Sequence, residues 1–135
     1  MHSIVHYTRS HHSKYRLVIH LIFVVKYRKK LLTKLGHDIK DQIKIIESYS
    51  DFEVVNIEVD KDHLHMMISY PPRISVLQIV RRLKVSTTKY IWKLHNNYLT
   101  SYFWNERTFW SDGYYVSSIG DASIETVKHY IESQG

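Results

Sequence analysis

The feature that most constrains this fold is a run of apolar, largely β-branched residues over 17–25, broken only by His20. A strand with one solvated face alternates polar and apolar residues, whereas a strand covered on both faces reads as a nearly continuous apolar run. The run is also far shorter than the roughly 20 residues that a membrane-spanning helix needs. We therefore predict a central strand over 15–26, around which a sheet is built.

The remaining patterns predict an alternation of helices and strands. In chain order these are a helix over 36–50, strands over 52–60 and 63–70, a helix from Ser75 to near His95, a strand over 110–116 and a final helix beginning at Ser123. Both serines are suitable N-caps. A β-α-β-β-α-β order with an added C-terminal helix predicts an α+β, ferredoxin-like antiparallel sheet with its first and third strands at the centre.

The spacing of apolar residues predicts which helix faces are buried. In the first helix Ile39, Ile43 and Ile46 recur at helical spacing. We expect the inner side of the long helix to carry Val76, Val80, Leu83, Ile91 and Leu94, and its other faces to carry Arg81, Arg82, Lys84, Lys89 and Lys93. The whole chain, 1–135, is expected to form one domain with a polar N-terminal arm over 1–14.

The composition narrows the class of function. The chain has 135 residues, no cysteine, a formal charge of +6 and ten histidines, so thiolate catalysis and zinc–thiolate sites are excluded. A basic balance favours a polyanionic partner, and the eleven tyrosines offer faces on which unpaired bases can stack. The first residues lack the apolar stretch of a signal peptide, and we expect a cytoplasmic protein that does not enter a membrane.

Two motifs carry the candidate chemistry. Residues two apart in a strand share a face, so His63 and His65 can present two imidazoles to one ion. Residues four apart in a helix are neighbours, so Tyr130 and Gln134 can approach that ion together. A metal held in this way would polarise a phosphate while the phenolate attacks it. Strand alternation places Asp62 opposite the ligands, and we interpret it as a turn residue.

With these motifs in this order, the chain resembles the single-tyrosine HUH transposases of bacterial and archaeal insertion sequences (TnpA type). The resemblance extends over nearly the whole chain, from Tyr15 to Gln134. The segments that carry it are His20 ahead of Lys26-Tyr27-Arg28, Asp62-His63-Leu64-His65, 75–84, 109–116, 118–120 and 130–134.

The resemblance implies an enzyme that binds single-stranded DNA hairpins near transposon ends and cuts one strand with Mg²⁺ or Mn²⁺. Tyr130 would become joined to the 5′ phosphate, with His63, His65 and Gln134 as metal ligands. The resemblance also implies a prokaryotic homodimer in which the terminal helix, 121–135, completes the active site of the other subunit. Gly120 is the only glycine between the fourth strand and that helix, and we expect it to be the hinge.

Basic residues are concentrated in two further regions besides the motifs. A hairpin stem offers closely spaced phosphates, and we expect these residues to contact its backbone. They are Arg9, His11, His12, Lys14, Arg28, Lys29 and Lys30, together with Arg81, Arg82 and Lys89 on the long helix.

Two other functions fit the same sequence. One is a non-catalytic, ferredoxin-like nucleic-acid-binding module, which would need neither a metal nor Tyr130. The other is a metal-dependent nuclease that hydrolyses with water, which would need His63 and His65 but would leave no covalent adduct on the protein.

Overall fold

The fold is that of a computed structural model, which describes residues 9–10, 13–14, 17–118 and 124–134, with side chains for 17–118 and 129–134. Several residues singled out in the sequence fall outside this range. His11, His12, the predicted hinge Gly120 and the predicted N-cap Ser123 lie outside the described residues, and Arg9 and Lys14 are described by their backbone alone.

The described strands form two sheets. The smaller is a ladder of β1 (Arg9–Ser10) with β2 (Ser13–Lys14), inside the region predicted as an arm. The larger contains β3 (Leu17–Val24), β4 (Glu53–Val59), β5 (His63–Tyr70) and β6 (Tyr115–Ser118), antiparallel throughout in the order β4-β5-β3-β6. The first and third strands of the ferredoxin-like order, β3 and β5, are therefore central, and the predicted α+β fold class is confirmed.

Among the described residues, three α-helices accompany the larger sheet: α1 (Leu32–Ser48), α2 (Val76–Thr100) and α3 (Ile124–Ser133). The core lies between the sheet and the first two of them. It joins alternate residues of β3 and β5 to the inner sides of both helices, and includes Leu21, Phe23, Leu64, Met66, Ile39, Ile43, Ile46, Val80, Leu83 and Ile91. The apolar stripes predicted for the helices are confirmed at these positions.

The opposite face of β3 is also covered. Ile22 and Val24 alternate with the core residues of that strand and are completely buried. Burial on both faces is the arrangement that the continuous apolar run predicted. β3 is therefore buried on both faces over 21–24.

Two helix predictions need correction. α1 begins at Leu32 rather than near Gly36, so this glycine lies inside the helix, where an added Cβ would come within 3.1 Å of Val59 on β4. Leu94 was predicted on the inner side of α2 but is exposed, because Trp92 is buried there instead and donates a hydrogen bond to the Thr108 carbonyl at 2.8 Å.

The fourth strand also begins later than predicted. It spans Tyr115–Ser118, whereas Trp110 forms an isolated antiparallel bridge with Val25. The long helix α2 continues to Thr100, although His95, its predicted end, has non-helical dihedral angles.

None of the helices in the described part of the chain combines the length and the apolar character that a membrane span needs.

The start of α2 provides a test of the fold. The Ser75 hydroxyl accepts a hydrogen bond from the Gln78 N–H at 3.1 Å, and the Gln78 side chain accepts one from the Ser75 N–H at 2.8 Å. This capping box satisfies two backbone donors that the helix itself leaves unpaired. We expect Ser75→Ala to lower the free energy of unfolding in urea by about 1 kcal/mol. Ser101→Ala, at the other end of α2, is the control and should change stability by less than about 0.5 kcal/mol. Equal losses would contradict the capping role.

Candidate active site

The histidines His63 and His65 lie on the face of β5 that α1 and α2 do not cover. The residues between and beyond them, Leu64 and Met66, are buried in the core, whereas both histidines are half-buried. In the register of the central pair, Val24 lies opposite His63 and Ile22 lies opposite His65. Both imidazoles therefore share one face, as strand alternation predicted, and each lies beside a buried apolar side chain of β3.

Asp62 is part of the site, contrary to its interpretation as a turn residue turned away from the histidines. It is 7% exposed, and its Oδ1 lies 3.0 Å from His63 Nδ1. Arg28 Nε donates to the other carboxylate oxygen at 3.1 Å. Burial raises the pKa of Asp62, but the hydrogen bonds and charges of His63 and Arg28 outweigh it, and the pKa lies below its ordinary value.

This carboxylate determines the protonation of its neighbour. An ionised Asp62 can only accept, so the neutral form of His63 has its proton on Nδ1 and the lone pair of Nε2 free for a ligand. Histidines that bind metals commonly donate their other ring nitrogen to a carboxylate in this way, which fixes both tautomer and ring orientation. Arg28, Asp62 and His63 therefore form one connected chain.

The second histidine is in contact with His20, which the sequence analysis gave no role. His20 Nδ1 lies 3.1 Å from His65 Nε2, so one of these nitrogens donates and the other accepts. Burial lowers the pKa of His65, and the neighbouring His20 lowers it further. A neutral imidazole is the form that binds metals, so this environment suits a ligand.

The donor set of the two histidines fits a divalent metal. Imidazole nitrogens bind Mn²⁺ readily, and an amide oxygen suits either Mn²⁺ or Mg²⁺. Within residues 17–118 and 129–134, however, no group of three or more His, Asp or Glu side chains is placed to hold an ion. A complete site would therefore need a further ligand, and Gln134 is the predicted one.

The terminal helix places Tyr130 on the same face of the sheet as the histidines. The ring of Tyr130 packs on Tyr115 with 5.6 Å between centroids. Tyr115 pairs with Ile22, and Ile22 pairs with His65, so these three residues form one row across β6, β3 and β5. Neighbouring strands lie about 4.8 Å apart, which puts Tyr115 roughly 10 Å from His65 along this row.

The hydroxyl of Tyr130 is buried and has no hydrogen-bond partner among the described residues. An added Cβ on Gly113 would lie 3.6 Å from this oxygen. Burial raises the pKa of Tyr130, which disfavours the phenolate in this position. Among the described residues, no hydrogen bond joins Tyr130 or Gln134 to His63 or His65, and the Gln134 amide donates to Ser133 Oγ at 3.2 Å. The structure brings the tyrosine to the histidine face without placing it in contact with the histidines.

Lys84 holds the loop beneath Tyr130. Lys84 was predicted on a face of α2 away from the core, but its Nζ donates to the carbonyls of Ser111 at 2.8 Å, Asp112 at 3.1 Å and Gly113 at 2.8 Å. Burial lowers its pKa. Lys84 therefore fixes the backbone that the Tyr130 hydroxyl faces.

The predicted DNA-contacting residues divide into three groups. Arg28 is bonded to Asp62, and Lys29 and Lys30 follow it on the same turn. Arg81, Arg82 and Lys89 are exposed on α2, which covers the sheet face opposite the histidines. His11 and His12 lie outside the described residues, and Arg9 and Lys14 are described only as strand backbone, so the DNA contacts of all these residues stay predictions.

Comparisons with known proteins agree on one family. The family described as "Transposase IS200 like" matches residues 13–134. The ISDra2 transposase TnpA of Deinococcus radiodurans is 28% identical over 121 residues, which cover 89% of this chain and 85% of that protein. The transposase for insertion sequence element IS200 of Salmonella typhimurium is 23% identical over 124 residues, covering 91% of this chain and 80% of that protein.

Solved structures show the same fold. A crystal structure of a Deinococcus radiodurans R1 protein described as a transposase superposes with a TM-score of 0.85 at 24% identity, covering 94% of this chain and 97% of that chain. A REP-associated tyrosine transposase bound to a REP hairpin superposes with a TM-score of 0.55 at 16% identity, covering 92% of this chain and 69% of that chain.

The chain of Arg28, Asp62 and His63 generates a test. Asp62→Asn keeps the side-chain shape but removes the charge that fixes the His63 tautomer, and we expect Mn²⁺ affinity measured by calorimetry to fall by about 10- to 100-fold. Asp60→Asn is the matched control, since Asp60 is exposed and, within the described part of the chain, its side chain accepts only from the adjacent Lys61 N–H. Unchanged Mn²⁺ affinity in a folded Asp62→Asn protein would show that this carboxylate does not position a metal ligand.

Proposed function

Because the chain belongs to the IS200-like transposase family, whose members cut and rejoin DNA, we propose that it acts on single-stranded DNA hairpins with Tyr130 as its nucleophile. The observation that carries this proposal is the row of Tyr115, Ile22 and His65 across the sheet. It brings the ring that packs against Tyr130 into line with His65, which supports a shared role for the terminal helix and the histidine face.

The chain's own residues provide the metal ligands. His63, held by Asp62 and Arg28, and His65, held by His20, would bind Mg²⁺ or Mn²⁺, with the Gln134 amide oxygen as a third ligand. When bound, such an ion supplies Lewis-acid polarisation of the phosphate and lowers the pKa of a nearby phenol. Asp62, held by Arg28, keeps His63 in the tautomer that leaves Nε2 free for the metal.

Tyr130 forms the covalent intermediate in this mechanism. Its hydroxyl loses a proton and the oxygen attacks phosphorus, so that a bond from Tyr130 to the 5′ phosphate forms and the bond to the 3′ oxygen breaks. The departing 3′ oxygen takes up a proton and leaves as a free hydroxyl. Rejoining reverses these steps, with a 3′ hydroxyl attacking the phosphotyrosine, so the bond energy is conserved and ATP is not required.

The buried position of the Tyr130 hydroxyl supports a movement before attack. Burial raises the pKa of this phenol, and its oxygen has no hydrogen-bond partner among the described residues, so the position is poorly suited to nucleophilic attack. We propose that α3 moves about Gly120 and that, in a homodimer, it completes the site of the partner subunit. Hinge motion of this kind is absorbed by a few residues at the ends of elements.

Covalent capture tests the nucleophile. The protein is incubated with Mn²⁺ and labelled single strands from the DNA on either side of its gene, and products are separated on denaturing gels. We expect a protein–DNA adduct that Tyr130→Phe abolishes, because only the attacking oxygen is removed. Tyr115→Phe, which alters the ring packed against Tyr130, should keep the adduct. Cleavage without an adduct would indicate a hydrolytic nuclease, and binding without cleavage would indicate a non-catalytic module.

Mixing two inactive variants tests assembly between subunits. One carries Tyr130→Phe and the other carries His63→Ala with His65→Ala. If the terminal helix serves the partner, a heterodimer contains one complete site and the adduct reappears. If each helix serves its own subunit, every site lacks one component and the mixture stays inactive. The recovered adduct must be on the subunit that retains Tyr130, which mass spectrometry identifies.

A further inference from the structure

The connection between α2 and β6 exposes aromatic side chains while being firmly anchored. Its residues Phe103, Phe109 and Trp110 are buried in the core. Trp104, in contrast, is 83% exposed, and Tyr102 is also exposed. Since three other aromatic residues already anchor this segment in the core, core packing does not explain why an exposed tryptophan stands at position 104.

The anchored segment presents Trp104 on a tight turn. The Glu106 N–H donates to the Phe103 carbonyl at 3.3 Å, and Asn105 between them has a φ of 60°. Glu106 then accepts from Lys26 Nζ at 3.2 Å and from the Tyr27 hydroxyl at 3.3 Å. The turn that carries Trp104 is therefore docked against the turn that follows β3.

A lysine joins the two turns through their aromatic rings. Lys29 Nζ lies 5.9 Å from the Tyr27 ring centroid and 5.8 Å from that of Tyr102. Tyr27 is itself 59% exposed. We refer to Tyr27, Lys29, Tyr102 and Trp104 as the aromatic surface. It combines flat apolar faces with a positive charge, which are the two features that bind unpaired nucleotides without reading their sequence.

The aromatic surface is connected to the candidate active site through the chain itself. Arg28 lies between Tyr27 and Lys29 and donates to Asp62, which in turn holds His63. Tyr27 and Arg28 have φ values of 62° and 52°, left-handed conformations that residues with side chains rarely adopt. This backbone directs Arg28 towards Asp62 while leaving the Tyr27 ring exposed.

We infer that the aromatic surface binds unpaired bases of the strand next to the phosphate that is cut, an inference that rests on the proposed function. Bases stack on Trp104 and Tyr27, and Lys29 neutralises a phosphate between them. The aromatic surface lies on the turn that contains Arg28, which is joined to His63 through Asp62. A DNA strand bound to this surface would therefore lie near His63. It would fix the single strand beside the hairpin, a role that neither histidine nor Tyr130 provides.

Binding of a labelled oligothymidylate of about 20 nucleotides, measured by fluorescence anisotropy without metal, tests this surface. Loss of one stacking ring should weaken binding by about 5- to 100-fold, so we expect this effect from Trp104→Ala. Trp104→Phe should keep most of the affinity. Tyr49→Ala is the control, since Tyr49 is also 59% exposed but lies just before β4, at the end of the sheet remote from His63.

Tryptophan fluorescence gives a second readout that a purely structural role would not change. Trp92 and Trp110 are buried, so quenching by stacked thymine reports mainly on Trp104 and should disappear in Trp104→Phe. Equal affinities for Trp104→Ala and Tyr49→Ala, or no binding by the unaltered protein, would overturn the inference. The inference would also be overturned if Trp104→Ala changed the oligomeric mass of the protein without changing its affinity for oligothymidylate. That result would make the aromatic surface a contact between copies of the chain. Adduct formation on gene-flanking DNA is scored separately, so the proposed function can fail or survive independently.

Discussion

The antiparallel pairing of β3 with β5 is the interaction on which the rest of this structure depends. Its register places Ile22 and Val24 beside the two imidazoles on one face and fixes Leu64 and Met66 in the core. A slip of one residue would exchange the two faces of β5 and bury both histidines among the helices. The core and the candidate site are therefore specified by the same ladder of backbone hydrogen bonds.

Local periodicity explains what could be predicted from the sequence. The bounds of β5, the capping role of Ser75 and the buried stripe of α1 all follow from patterns that repeat within a few residues. The pairing of the two histidines on one face is equally local, because it needs only the alternation of a strand. The ferredoxin-like order then followed from the sequence of elements.

Partners distant in the chain explain what could not be predicted. Asp62 and Lys84 each have a common local interpretation, as a turn residue and as a solvated helix residue. Their actual roles depend on Arg28 and on the carbonyls of 111–113, which come near only in the folded chain. Gly36 likewise makes a poor helix interior until the close approach of Val59 is known. These side chains mark where tertiary contacts override local preference.

The left-handed turn at Tyr27 and Arg28 has a consequence for how this protein could evolve. Backbone of this kind destabilises the folded state by about 1–3 kcal/mol for each residue with a side chain, whereas glycine adopts it freely. Selection for heat resistance alone would therefore favour glycine or asparagine at both positions. Replacing Tyr27 would remove its hydrogen bond to Glu106, and replacing Arg28 would remove its hydrogen bond to Asp62. A variant with these changes would gain backbone stability but lose the hydrogen bond that joins Arg28 to the candidate active site.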